Sequence, residues 1–72
     1  MNYTCPICDI ELELGSNPGC RHEISAYLVY VWWDGVVDIF SRGYDNRDLY
    51  LMRLRYPKRL NEKYIEIAML LK

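Results

Sequence analysis

Seventy-two residues, 51% hydrophobic and 26% charged, suffice for one compact domain and leave no room for a second. A formal net charge of −1 and a pI near 5.7 speak against binding that rests mainly on phosphate contacts, which calls for a clear positive excess. No run approaches the ~18 consecutive apolar residues of a membrane span; the longest, Ala26 to Trp33, is short and rich in β-branched and aromatic side chains.

Chains of this size bury too little surface for a core alone to offset chain entropy comfortably, so a staple is common. A disulfide would leave one of the three cysteines unpaired, and the start Met1-Asn2-Tyr3-Thr4 lacks the basic-then-apolar pattern of a secretory signal. A metal staple in a reducing, cytoplasmic setting is the expectation.

Cys5-Pro6-Ile7-Cys8 is a C-x2-C pair, the spacing at which a tight turn aims two sulfurs at one tetrahedral ion. Apolar residues then alternate with acids from Ile10 to Leu14, the period-two pattern of a strand with one wet face. The turn cluster Gly15-Ser16-Asn17-Pro18-Gly19 follows, and Cys20-Arg21-His22 returns two ligand types at a spacing of two. On an extended strand those two side chains share a face, so Cys5, Cys8, Cys20 and His22 close a tetrahedron around one structural Zn2+. Glu23 or Asp9 could stand in for His22. Three sulfurs and one nitrogen leave no open position for a catalytic water. Cys5-Pro6-Ile7-Cys8 also fits a redox pair, but the βαβ context such a motif needs does not follow it. His22-Glu23 has no second His four residues on, and the histidine follows the cysteine pair, so neither a metalloprotease nor a deaminase pattern is present.

The next strand reads from Glu23 to Trp33 and turns at Asp34-Gly35, a two-residue connection of type I′. Counting back pairs Trp33 with Val36, Trp32 with Val37, Val31 with Asp38, Tyr30 with Ile39 and Val29 with Phe40. This register puts Leu28, Tyr30, Trp32, Val37 and Ile39 on one face, and Val29, Val31, Trp33, Val36, Asp38 and Phe40 on the other. Both faces are largely apolar, so each needs a cover. After the turn at Gly43-Tyr44-Asp45-Asn46, a third strand from Asp48 to Tyr56 reads as an edge, with Arg53 and Arg55 discouraging stray pairing. Tyr50, Met52 and Leu54 point to one side of it; Leu49, Leu51, Arg53 and Arg55 point to the other. Pro57 suits the first turn of a helix, along which Leu60, Tyr64, Ile67, Ala68 and Leu71 recur at helical spacing.

The expected fold is α+β, a single zinc-stabilised domain over 1–72: a zinc-clamped β-hairpin over 1–22, a three-stranded antiparallel meander over 23–56, and one helix over 57–72. A helix covers one sheet face; the zinc hairpin, a second copy in a homodimer, or a partner covers the other.

The charges segregate: residues 1–52 carry eight acidic and three basic side chains, residues 53–72 two acidic and six basic. Enzyme chemistry has no support, since the one histidine is spoken for and Ser16, Ser25 and Ser41 lack a nucleophile setting. An aromatic-rich sheet rimmed by arginine has the composition of a protein interface, with Trp33, Arg53, Arg55, Lys58 and Arg59 as candidate contacts. The alternative is a zinc-ribbon nucleic-acid binder that uses sheet aromatics and the basic segment from Arg53 to Lys63. The layout at Cys5, Cys8, Cys20 and His22, with a meander and a C-terminal helix, resembles the short zinc-finger proteins of phage and mobile-element genomes. That resemblance implies docking on a larger host nucleic-acid machine, such as a CRISPR effector or RNA polymerase, and inhibition or modulation of one of its steps.

Overall fold

Alternating apolar side chains draw the middle of the chain into an antiparallel sheet of four strands. They are β1 (Cys20–Ile24), β2 (Tyr27–Val31), β3 (Val36–Ser41) and β4 (Leu49–Arg55), in the order β1-β2-β3-β4. One helix, α1 (Glu62–Leu70), follows. The computed structural model describes residues 3–15 and 19–71. The middle of the expected turn cluster, residues 16–18, and the last helix residue expected, Lys72, lie outside that description.

The α+β architecture with a C-terminal helix is as the sequence implies, but the sheet has four strands where three are expected. The long strand from Glu23 is broken by a two-residue turn at Ser25-Ala26, which pairs Ile24 with Tyr27 and makes Cys20–Ile24 a strand of its own. Ser25 takes a left-handed conformation, φ 53°, at this turn. Conversely, the alternating stretch Ile10 to Leu14 forms no strand. Among the described residues it forms a single bridge, Thr4 to Glu11.

The β2–β3 register also differs from the expected one, by one residue. Tyr30 lies opposite Asp38, Val29 opposite Ile39 and Val31 opposite Val37. The cause is the hairpin loop, which holds three residues, Trp33, Asp34 and Gly35. Trp32 and Val36 close it: the Trp32 N–H donates to the Val36 carbonyl at 2.8 Å, and Gly35 N–H to the Trp32 carbonyl at 3.1 Å. Gly35 supplies the positive φ, 89°, that ends such a loop.

Because side chains alternate, a shift of one residue re-sorts the faces. One face gathers Cys20, His22, Ile24, Tyr27, Val29, Val31, Val37, Ile39, Met52 and Leu54. Val29, Val31, Val37 and Ile39 are completely buried there, and this is the core. The other face carries Arg21, Glu23, Leu28, Tyr30, Trp32, Val36, Asp38 and Phe40. A bulge at Ile39/Phe40 sets Phe40 opposite Tyr50, so Leu51 packs toward the core while Tyr50 joins Arg53 beside Asp38. The edge position expected for β4 is the one observed.

The helix begins later than Pro57. Asn61 caps it, its side-chain oxygen accepting from the Tyr64 N–H at 2.8 Å, and Pro57 to Leu60 form the approach. The buried stripe is Leu60 and Ile65 with half-buried Ala68, while Tyr64, Ile67 and Leu71 of the expected stripe are exposed. Both α1 and the N-terminal loop, through Cys5 and Leu12, pack on the same core face. Among the described residues no helix or strand lies over the other face, so the N-terminal zinc segment is not its cover.

Candidate metal centre

Two short pieces of chain bring four ligand atoms together. In the first, the Asp9 N–H donates to the Cys5 carbonyl at 3.0 Å and the Cys5 N–H to the Ile10 carbonyl at 2.9 Å, folding Cys5 to Cys8 into a knuckle. Asp9 carries its positive φ, 63°, a conformation that Asp tolerates better than most residues. Leu12 anchors the far side, buried in the core with its N–H on the Tyr3 carbonyl. In the second piece, Cys20 and His22 are two residues apart on β1 and face the core side of the sheet.

The His22 Nε2 lies 2.9 Å from the Cys20 Sγ and 3.3 Å from the Cys5 Sγ, and Cys8 Sγ is 3.5 Å from Cys20 Sγ. All four ligand atoms fall within 4.8 Å of one another. A tetrahedral ion with metal–sulfur bonds of about 2.3 Å requires sulfurs about 3.8 Å apart, so the cluster has the size of one coordination shell. The three cysteines are free, and the cluster is not a disulfide. Glu23, the alternative fourth ligand, points to the opposite face and pairs with Arg42 at 3.7 Å. Asp9 is exposed in the knuckle and is not part of the cluster.

The thiols are electrically unequal. The Ile10 backbone N–H lowers the Cys8 thiol below its usual range, whereas burial pushes the Cys20 thiol up to about 12, with Cys8 and Cys5 adding to the rise. Thiolates crowded into one pocket repel each other, and a divalent cation bound there would offset that repulsion with its own charge while the thiol protons leave. Cys5 is fully buried within the core cluster and Cys8 is exposed, so an ion here would join the core to the surface loop.

No protein-family model, curated protein or solved structure matches this chain. Its surfaces carry the remaining information.

The candidate contact residues are scattered. Trp33 is half-buried against the core at the β2–β3 loop. Arg53 is held by Asp38, Nε to Oδ1 at 2.8 Å, on the uncovered face, where alternation also places Arg55. Lys58 and Arg59 are exposed on the approach to α1. Sequence reasoning missed the centre of that face. Asp38, 6% exposed, accepts from Trp32 Nε1 at 3.0 Å, from Tyr50 OH at 3.3 Å and from Arg53, whose guanidinium it holds above its usual pKa through those bonds. A lone acid among apolar strand residues was the available signal.

Beside β4 an open cleft of about 590 Å³ runs between the strand and α1, lined by Tyr50, Met52, Arg53, Leu54, Tyr64, Ala68 and Leu71. Among the described residues no helix is long and apolar enough to cross a membrane.

Proposed function

We propose that this chain is a structural-zinc module that docks on a partner protein belonging to a larger nucleic-acid machine and modulates it. The cluster of three thiols and one imidazole supports zinc, because this soft, tetrahedral donor set suits that ion and leaves no position for substrate. In this reading the metal holds the knuckle against β1, and chemistry is left to the partner.

The observation that carries the docking role is the apolar side of α1. Ile67, Leu70 and Leu71 are exposed, the last two at 84%, and Leu71 lines the cleft at β4. Contiguous apolar surface of this kind is a mark of interfaces. The nearby segment 53–63 holds Arg53, Arg55, Lys58, Arg59 and Lys63 against one acid, Glu62. The partner surface is therefore an apolar ridge flanked by carboxylates, with the charges steering approach and the leucines supplying contact.

Capture from bacterial lysate on immobilised protein, followed by mass spectrometry, tests this. The expected partner is retained by the parent and by Leu14→Asp, and is lost with Ile67→Asp combined with Leu71→Asp. Retention unchanged by the helix substitutions contradicts the reading.

A further inference from the structure

The sheet face left uncovered is more ordered than a merely solvated surface needs to be. A row of π groups crosses it, one from each strand. The Arg21 guanidinium of β1 lies 5.7 Å from the Tyr30 ring of β2; Tyr30 meets Phe40 of β3 edge-to-face at 5.5 Å, and Phe40 meets Tyr50 of β4 at 5.3 Å. These spacings follow the ~4.8 Å separation of neighbouring strands, so the sheet itself sets the row. Tyr30 and Phe40 are half-buried and Tyr50 is 49% exposed, which leaves the rings accessible. Asp38 pins the adjoining residues by accepting from Trp32, Tyr50 and Arg53 at once.

The charges of this face decide what fits it. Its two acids are already matched, Glu23 by Arg42 and Asp38 by Arg53. Arg21 and Arg55 enter no ion pair among the described residues, and they stand on the opposite edge strands, with Tyr30 and Phe40 on the two strands between them and Tyr50 on the strand of Arg55. A chain of net charge −1 thus presents a locally cationic face. A second copy stacked on it would set arginines against arginines with no free acid to receive them.

We propose that this face is a stacking platform for a short single-stranded nucleic acid, whose bases lie against Tyr30, Phe40 and Tyr50 while its phosphates meet Arg21 and Arg55. Aromatic groups spaced along a cationic track are how strands are held without reading sequence. The platform lies on the sheet face away from α1; it shares Tyr50 with the cleft and Arg55 with the basic segment of the docking surface, while Arg21, Tyr30 and Phe40 belong to it alone. It also differs from the basic segment ending at Lys63, because Arg21 lies outside that segment and Lys58, Arg59 and Lys63 fall on neither edge strand.

The test is fluorescence anisotropy of metal-loaded protein with fluorescein-labelled oligo(U) and oligo(dT) octamers; the two arms separate RNA from DNA. Saturable binding is expected. Two phosphate contacts predict roughly sevenfold weaker binding when salt rises from about 50 to about 200 mM. Tyr50→Leu should weaken binding roughly 5- to 150-fold, the range for losing one base stack. Arg55→Gln, at an exposed position, should flatten the salt dependence, and Tyr44→Leu, at a 94% exposed tyrosine off this face, should change nothing. Absence of saturable binding to either octamer overturns the proposal, as does parental affinity and salt dependence in Arg55→Gln. Loss of a captured protein, with no oligonucleotide bound, on Tyr50→Leu overturns it in favour of a protein ligand.

Discussion

Replacing Asp38 by alanine removes the one buried charge from the middle strand pair. Its carboxylate accepts from Trp32 Nε1 at 3.0 Å, Tyr50 OH at 3.3 Å and Arg53 Nε at 2.8 Å, at a site 6% exposed. Tyr50 and Arg53 are exposed and regain water when the acceptor goes, so they add little to the loss. The half-buried Trp32 N–H does not rehydrate freely, and stranding such a donor costs about 1 to 3 kcal/mol. The desolvation returned by removing the charge offsets the small loss of the Tyr50 and Arg53 bonds, which leaves a net loss of about 2 kcal/mol, the middle of that range. For a domain of this length that corresponds to a fall in Tm of about 8 to 16 °C. Thermal unfolding followed by near-ultraviolet circular dichroism measures it, and Asp38→Asn, which keeps an acceptor for Trp32, should lose less. A Tm for Asp38→Ala within about 2 °C of the parent would refute the hub and the register that creates it.

Three further outcomes follow from single positions. Gly35→Ala drives a Cβ into the Tyr56 ring and forces alanine to φ 89°, so urea denaturation should show a loss of about 1 to 3 kcal/mol. Asn61→Ala removes the cap of α1 and should cost about 1 kcal/mol by the same measurement, with a small loss of helical signal. Burial raises the Tyr3 hydroxyl from 10.0 to about 12, and it donates to the Pro57 carbonyl. The folded state therefore holds that proton more tightly than the unfolded chain. The associated stability is complete below pH 10 and is lost as pH rises toward about 12, a decline that Tyr3→Phe should reduce.

The convergence of Cys5, Cys8, Cys20 and His22 was readable because its geometry is local. A C-x2-C pair makes a knuckle almost by itself, and Cys20 and His22 share a face on any extended segment. The face that carries Tyr30, Phe40 and Tyr50 was not readable, because it depends on a register set by one loop. Asp34-Gly35 signals a turn, but not whether Trp33 belongs to the turn or to the strand, and that single residue decides which side chains are buried. The break at Ser25-Ala26 has no Gly, Pro, Asn or Asp to announce it, and Ser25 takes its left-handed backbone under tertiary constraint. The alternation from Ile10 to Leu14 is real, yet only Leu12 is drawn into the core, and one bridge is too little pairing for a strand. At α1 the first-turn preference of Pro57 competes with the cap of Asn61, and the cap prevails because its oxygen satisfies a free N–H.

Metal content of the purified protein, measured before and after a strong chelator while circular dichroism follows the sheet, decides whether zinc holds this fold together. One zinc ion per chain is predicted, with loss of tertiary signal on its removal and recovery on its return. A protein that carries no stoichiometric metal and keeps its tertiary signal would show that the fold stands without zinc.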